Sequence, residues 1–385
     1  MSQEVTKVKD VLVLNERVFS ICDAWPLKKN YTNFVAYMCY LTVHMVIMYM
    51  DLFDAFGNLE AVVDNVMDNT IATAVYFILF LLRFDKMIER AIVIVKQEIA
   101  EARFEDVEEM RLYFVYHKIS DKFGRYAVAV TTTIAVLWYL TPMLQLLKPN
   151  SGEGNETNAY ALPFRVHAFF DYQDDFRAFM FMFLYQFPLM FIALCHINAV
   201  SLLLSLVLHV CGKFSILSYR IKNIPIKSHV NLDNKIKELV IAHIKLILTA
   251  NSINSALQFF LLIELIQTSI RMAVLIYMIL LDSGDKLVST FTYALYVSIV
   301  TSILYLYSYM GERLSYESSK VSEAYYDTDW HVLSVREQKL LLLVMSSGRQ
   351  TLHITAGKFY TFSLNSFIDV MKTSFGYVSL LRALI

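Results

Sequence analysis

The feature that most constrains the fold of this sequence is a series of apolar segments, each long enough to cross a bilayer. A transmembrane helix needs about 20 predominantly apolar residues. Two runs are weaker: residues 70–82 are short before Arg83 but continue a helical pattern beyond it, and the run from residue 359 onward carries Asp369, Lys372 and Arg382. Five strong runs are nearly free of charged side chains: residues 31–50, 126–147, 178–212, 246–281 and 287–311. The sequence therefore predicts an all-α membrane protein with seven transmembrane helices.

The composition agrees with a membrane protein and argues against several other classes. Hydrophobic residues make up 57% of the 385 residues, and only 18% are charged, against about 25% in a soluble domain. The net charge of −1 gives no overall basic field for nucleic acid. The sequence has no Gly-rich phosphate loop, HExxH motif or nucleophile elbow, and its histidines show no pair at metal-ligand spacing. We therefore expect no enzyme activity, no cofactor and no metal site.

Basic residues predict the orientation of the chain, because Lys and Arg concentrate in cytoplasmic connections. The N-terminal arm and the connections at 83–125, 213–237 and 313–358 are rich in them, whereas those at 51–69, 148–172 and 282–286 have few. This alternation places the N-terminus in the cytoplasm and the C-terminus outside. Asn155 begins "NET", an N-glycosylation acceptor, and it falls in a connection assigned outside. G-protein-coupled receptors have the opposite orientation, so this class is disfavoured.

Four regions follow from this topology. Residues 1–30 form a cytoplasmic N-terminal arm, and residues 31–311 form six transmembrane helices that hold a ligand-binding bundle and cytoplasmic extensions. Residues 312–358 form a cytoplasmic anchor helix region, and residues 359–385 a pore-lining seventh helix. In the anchor, "SVRE" at 334–337 predicts a capping box ahead of a Leu-rich helix. Its apolar face packs either between subunits or within one subunit.

Three stretches of the sequence resemble the insect odorant receptor family. They are "AWPL" at 24–27, "LVLHVCGKFSILSYRI" at 206–221 and the C-terminal "AGKFYTFSLNSFIDVMKTSFGYVSLLRAL". The resemblance implies an odorant-tuning subunit of a tetrameric, ligand-gated, non-selective cation channel, assembled with the common odorant co-receptor. It also implies a multi-pass protein of the plasma membrane in sensory-neuron dendrites. A homotetramer remains open. The alternative is a polytopic transporter of a small apolar or amphipathic solute, although no internal repeat supports it.

The last helix has a face suited to lining a pore. Asp369, Thr373, Tyr377, Leu380 and Leu384 recur at three- and four-residue steps and therefore share one side of a helix that starts near Ser363. In a four-fold assembly the two leucines would form stacked apolar rings, which can gate by dewetting. The resemblance places the family's hydrophobic gate at the same two positions. The alternative for Asp369 is an ion pair with Lys372 three residues on.

The ligand site should be aromatic-rich with few polar groups, because odorants are small and mostly apolar. Trp138, Tyr293 and Tyr296 resemble positions that line the pocket of the family, and we expect the buried Trp138 N–H and Tyr296 O–H to seek ligand partners. The alternative is that these aromatic stripes only pack helices together. The predicted ligand-binding residues, at helical spacing in the second, third, fourth and sixth spans, are Thr73, Tyr76, Phe77, Thr131, Ile134, Trp138, Met182, Tyr185, Tyr293 and Tyr296.

The fifth apolar run contains three polar residues at i, i+3 and i+7, namely Glu264, Gln267 and Arg271. Charged residues inside a membrane usually face protein or water. We expect either a Glu264–Arg271 face within one subunit or a cytoplasmic position for Glu264; the alternative is a functional role of these intramembrane charges.

Overall fold

The computed structural model describes residues 11–146, 160–224, 232–281, 287–347 and 351–384. The first half of this chain is helical apart from short connections. A short helix precedes the first span, and an amphipathic helix, α4, joins the second span to the third. The helices are α1 (Val13–Ile21), α2 (Thr32–Asp54), α3 (Leu59–Phe84), α4 (Lys86–Ala100) and α5 (Val107–Leu146).

The second half is also helical and ends in a small hairpin followed by the last helix. A turn of 3-10 helix, Phe187–Leu189, joins α6 to α7, and a second one, Trp330–Val332, precedes α10. The elements are α6 (Phe176–Tyr185), α7 (Met190–Lys222), α8 (Leu232–Leu281), α9 (Leu287–Tyr326), α10 (Val335–Ser347), β1 (Ile354–Ala356), β2 (Tyr360–Phe362) and α11 (Leu364–Leu384).

Six helical segments of the described chain are long and apolar enough to cross a membrane. They are α2, α3, α5, α6 together with α7, α8 and α9. The last helix, α11, has 21 residues and is therefore also of spanning length at 1.5 Å per residue. Helices α5 and α9 have 40 residues each and α8 has 50, so each is roughly twice as long as a bilayer requires.

Helix α7 is the centre of the molecule. It contacts α5, α8, α9 and α3, and its residues from Asn198 to Gly212 are all buried. A helix that is apolar on every side belongs in a core. Two of its polar residues have partners on neighbouring helices: Ser205 bonds Ser120 of α5 with 2.6 Å between the hydroxyl oxygens, and Asn198 exchanges hydrogen bonds of 3.1 Å with Asn15 of α1.

The connection between the first two spans is much shorter than the predicted loop at 51–69, which has no Lys or Arg. Helix α2 continues to Asp54 and α3 begins at Leu59. The Asn58 side chain caps α3 by accepting a hydrogen bond from the Ala61 amide at 3.3 Å. Asn65 then donates to Asp51 at 2.9 Å. The local cap and the bond between the two helices help to hold an acidic stretch in a helix, and a hydropathy pattern does not report them.

The anchor helix and the last helix start as the sequence predicts. The Ser334 amide and hydroxyl both donate to Glu337 Oε2, at 2.9 and 2.7 Å, which completes the capping box of α10. Ser363 Oγ accepts a hydrogen bond from the Ser366 amide at 3.1 Å and caps α11. Leu341 of α10 packs within this subunit, whereas Leu342 is exposed.

The hairpin ahead of α11 is absent from the sequence prediction. Strands β1 and β2 pair antiparallel, with Ile354 opposite Phe362. Their turn uses left-handed backbone at Gly357 and Lys358, a conformation that favours glycine at the first of these positions. The hairpin packs against α8 and α9 and fixes where the last helix begins.

Candidate functional site

A cavity of about 650 Å³ lies among α2, α3, α5, α7 and α9. This volume is in the range of small-molecule sites in proteins. Its wall is mainly apolar and aromatic, with contributions from Met48 and Ile71 of α2 and α3, Ile134 of α5 and Met190 of α7. The polar side chains in the wall are few: His44, Asp68, Thr131, Tyr126, Tyr296, Ser298, Ser302 and Tyr305.

Four of the predicted ligand-binding residues lie in this wall. They are Thr131, Ile134 and Trp138 of α5 and Tyr296 of α9. The first three lie at three- and four-residue steps along one side of α5, so the spacing in the sequence corresponds to one face in the fold. Their contact with a ligand stays a prediction.

Two of the predicted residues line a different groove. Tyr76 and Phe77 of α3 border a shallow groove of about 440 Å³ between α2 and α3. Thr73 lies close by, where its hydroxyl is 2.8 Å from the hydroxyl of Tyr49. These three residues are therefore not among those that line the cavity.

The remaining three predicted residues lie outside the wall of the cavity. Met182 is buried in the main hydrophobic core. Tyr185 packs its ring against Tyr40 and His44, with centroid separations of 5.3 and 5.7 Å. Tyr293 packs against an apolar cluster that includes Leu275. Ligand contact by these three residues stays a prediction as well.

Trp138 uses its polar group differently from the sequence expectation. Its indole N–H donates to the backbone carbonyl of Pro163 at 3.0 Å. The loop thus supplies the partner that we expected from a ligand. Trp138 presents ring surface to the cavity, and its recognition of a ligand would be through packing.

The connection that follows α5 covers the cavity. Phe164 lines the cavity, and Gln186 fixes it by accepting from its amide at 3.2 Å and donating to its carbonyl at 2.8 Å. Arg165 reaches Asp51 of α2 at 3.3 Å, and His167 pairs with Asp54. The cover is therefore tied to the end of α2 and to the end of α6.

The cavity is open on the side between α5 and α9. Ile134 and Trp138 are 56% and 51% exposed, and Tyr305 of α9 is 48% exposed. In a bilayer this side meets lipid or a neighbouring subunit. An apolar molecule dissolved in the hydrocarbon could enter here without crossing a polar surface.

Sequence reasoning missed the contribution of α2. His44 and Met48 lie in the cavity wall, one helical turn apart. The available signal was His44 itself, the one imidazole within the first apolar run. A polar residue in a spanning helix is a candidate functional residue by default.

Helix α9 joins the cavity to the last helix. Tyr305 lines the cavity, and its ring meets Phe367 of α11 edge-on, with centroids 5.6 Å apart. A change in the shape of the cavity therefore has a direct route to α11 through one side chain.

The residues predicted to line the pore are only partly described. Asp369 and Thr373 of α11 are exposed in the single subunit and border a groove of about 350 Å³. In the described part of the chain, Asp369 forms no ion pair with Lys372. The backbone is helical through Leu384, but the side chains of Tyr377, Leu380 and Leu384 lie outside the described residues, as does Asn155. Among the described residues no cluster of His, Cys, Asp and Glu could hold a metal ion.

Comparison with known proteins agrees with this architecture. The profile of the family described as 7tm Odorant receptor matches residues 58–375, most of the chain. Odorant receptor 82a of Drosophila melanogaster is 24% identical over 204 residues, 52% of each chain. The odorant receptor coreceptor of Harpegnathos saltator is 25% identical over 155 residues, 40% of this chain and 32% of that one. The chain thus spans about half or less of these relatives.

The fold has solved counterparts. The insect olfactory receptor OR5 from Machilis hrabei, in complex with eugenol, superposes with a TM-score of 0.76 at 13% identity. The match covers 97% of this chain and all of that one, so the whole helical arrangement is shared. Fold and family profile together lead to one conclusion: the chain belongs to the odorant receptor family.

Proposed function

We propose that this chain is an odorant-tuning receptor subunit that binds a small, volatile, largely apolar molecule in the cavity and opens a non-selective cation pore. The observation that carries the proposal is the cavity of about 650 Å³ inside the helical bundle. Its wall shares Tyr305 with the contact to α11. Ligand binding and pore opening would then be two ends of one packed path.

The partner in this proposal is the odorant co-receptor, in a heterotetramer. Similarity to ant co-receptors supports a shared fold between the two kinds of subunit, which a mixed ring of subunits requires. The exposed face of α11, with Asp369 and Thr373, fits a position at a subunit interface or a pore axis. We propose Leu380 and Leu384 as the gate and Asp369, Thr373 and Tyr377 as pore lining.

The rest of the sequence-based account belongs to the same proposal. The N-terminus lies in the cytoplasm and the C-terminus outside, with the regions at 1–30, 31–311, 312–358 and 359–385 as assigned above. Asn155 carries a glycan, and the protein resides in the plasma membrane of sensory dendrites. A transporter is not favoured, because the family is one of receptors; the same membership speaks against an enzyme.

The test is an odorant-evoked current. Cells expressing the chain with a co-receptor, the chain alone, or the co-receptor alone are recorded in whole-cell mode with G-protein signalling blocked. A panel of volatile compounds is applied. We expect fast, non-selective cation current only in cells that express both subunits. Current that persists in the chain alone points to a homotetramer, whereas silence of the pair with both subunits at the surface contradicts the proposal.

A further inference from the structure

His44 is an unusual residue for the middle of a spanning helix. It lies in the wall of the cavity and is 0% exposed. Neither ring nitrogen has a hydrogen-bond partner among the described residues. An uncharged imidazole carries one donor and one acceptor, so two hydrogen-bonding positions point at no other group of the protein.

An unpartnered polar group is costly in this environment. Transfer of such a group from water to an apolar medium without a compensating hydrogen bond costs several kcal/mol, and hydrocarbon offers no substitute. Other polar side chains near the cavity avoid this cost. Trp138 donates to Pro163, and Gln186 uses both ends of its amide on Phe164. Among the described residues of this wall, His44 is the one whose fully buried polar atoms have no hydrogen-bond partner.

The imidazole is also held in place. Tyr40, one turn earlier, stacks parallel to it, with centroids 5.9 Å apart and an interplanar angle of 6°. Tyr185 packs on it at 5.7 Å, and Tyr40 fixes this neighbour by donating to its carbonyl at 2.8 Å. The hydroxyl of Tyr185 is itself buried without a partner. His44 is therefore a rigid polar group without a partner in a wall that is mainly apolar.

We infer that His44 is a polar recognition point of the ligand site and selects oxygenated odorants. The ligand class is a small hydrocarbon skeleton with one hydrogen-bonding oxygen, as in an alcohol, phenol, aldehyde, ketone or ester. An alcohol can use either nitrogen, and a carbonyl oxygen accepts from the protonated one. The skeleton fills the apolar wall. This inference rests on the proposed function and adds the chemistry of its ligand.

The experiment uses matched ligands and matched variants. Triplets of one carbon skeleton, such as 2-heptanol, 2-heptanone and heptane, are taken from linear, cyclic and aromatic series. They are applied to cells expressing the chain with the co-receptor. His44→Phe keeps an aromatic ring between the two tyrosines but cannot form hydrogen bonds. His44→Gln retains a donor and an acceptor. Tyr49→Phe removes a hydroxyl from the same helix away from the cavity.

The inference predicts separate effects on ligand classes. Wild type should respond to oxygenated members at concentrations about tenfold lower than to the matched hydrocarbon. His44→Phe should raise the half-maximal concentration for oxygenated members by about five- to tenfold, which is the size of one hydrogen bond. The response to the hydrocarbon should stay within about twofold. His44→Gln should recover most of the loss, and Tyr49→Phe should match wild type.

Two results would overturn the inference while leaving the proposed function intact. One is a wild type that responds equally to oxygenated and hydrocarbon members. The other is His44→Phe at the surface with unchanged responses to oxygenated odorants, or with equal losses for all ligands, which means that His44 only packs. If His44→Phe does not reach the surface, the inference is tested by the selectivity of wild type for oxygenated members and by the responses of His44→Gln to them. A wild-type pair that is silent to every compound contradicts the proposed function itself.

Discussion

At the scale of single residues, the core of the bundle contains a buried polar cluster. Glu264 of α8 is fully buried and bonds His196 of α7, with 2.9 Å between Oε1 and Nε2. Gln267 approaches the same imidazole nitrogen at 3.3 Å, and Arg271 is 5% exposed one turn beyond. Buried charges persist in membrane proteins when they face partners inside the bundle. The polar side chains of α8 therefore fix its position against α7.

This cluster yields a prediction about stability. Glu264→Ala leaves the His196 imidazole and the buried Arg271 without their acidic neighbour, and removal of one member of a buried pair costs about 3–5 kcal/mol. We expect a large drop in the melting temperature of the detergent-solubilised protein. Glu108→Ala is the control, because its pair with Arg111 spans 3.5 Å at the surface and should contribute less than about 1 kcal/mol. Equal melting temperatures for the two variants would contradict this reading.

The residue scale also shows what the sequence could predict about the site. Helical spacing on α5 and α9 identified four residues of the cavity wall, because residues on one helix face recur every three or four positions. They are Thr131, Ile134, Trp138 and Tyr296. The same spacing on α3 identified residues of a different groove, since periodicity does not say which face of a helix meets which neighbour. His196 was not identified as the partner of Glu264, because that contact joins residues 68 apart in sequence.

At the scale of elements, the spans were predicted from hydropathy, whereas their ends and the hairpin were not. Long apolar runs require helices in a membrane, so the number of spans followed directly. The acidic start of α3 is held by Asn58 and Asn65 through side-chain contacts that composition does not reveal. Strands of three residues are too short to give a period-two pattern. The Asn65–Asp51 bond and the packing of the hairpin on α8 and α9 are tertiary contacts, whereas the Asn58 cap is local.

The hairpin leads to a prediction at Gly311 of α9. A Cβ at this position would lie 2.0 Å from the backbone carbonyl oxygen of Phe362, and backbone cannot move aside as a side chain can. Gly311→Ala should therefore separate β2 from α9, displace the start of α11 and destabilise the protein by several kcal/mol.

A second glycine gives the matched control. In Gly212 of α7 the added Cβ would meet nothing nearer than Tyr113 at 3.4 Å, an ordinary contact. Gly212→Ala should keep the wild-type elution profile and melting temperature to within about 1 kcal/mol. Fluorescence-detected size-exclusion chromatography compares the two variants. A Gly311→Ala protein as stable as Gly212→Ala would show that the hairpin does not pack closely on α9.

At the scale of the whole molecule, the cavity is connected to the last helix through α9. Helix α9 forms part of the cavity wall, and α11 packs against α9. Tyr305 of α9 lines the cavity, and its ring contacts Phe367 of α11. Such packed paths transmit a change of shape when they have two arrangements. The account assigns ligand recognition to the bundle and ion flow to α11.

The gate proposal predicts a change in resting current. Leu380→Ala and Leu384→Ala replace the leucines of the two proposed apolar rings with smaller side chains. The opening then becomes wider and less hydrophobic, and such a constriction wets more easily. Channels with either variant should conduct without odorant. Whole-cell recording of basal current, normalised to surface protein, measures this effect. Basal current at the wild-type level in both variants would place the gate elsewhere.

The central claim is that the ligand acts from the cavity. Ala135 lies in the wall of the cavity, and Ala135→Phe fills part of it with a ring. Ala129→Phe places the same ring on an exposed position of the same helix. The decisive measurement is the odorant dose-response of each variant with the co-receptor at matched surface expression. The account predicts at least a tenfold rise in half-maximal concentration, or loss of response, for Ala135→Phe alone. Wild-type sensitivity in Ala135→Phe would contradict it.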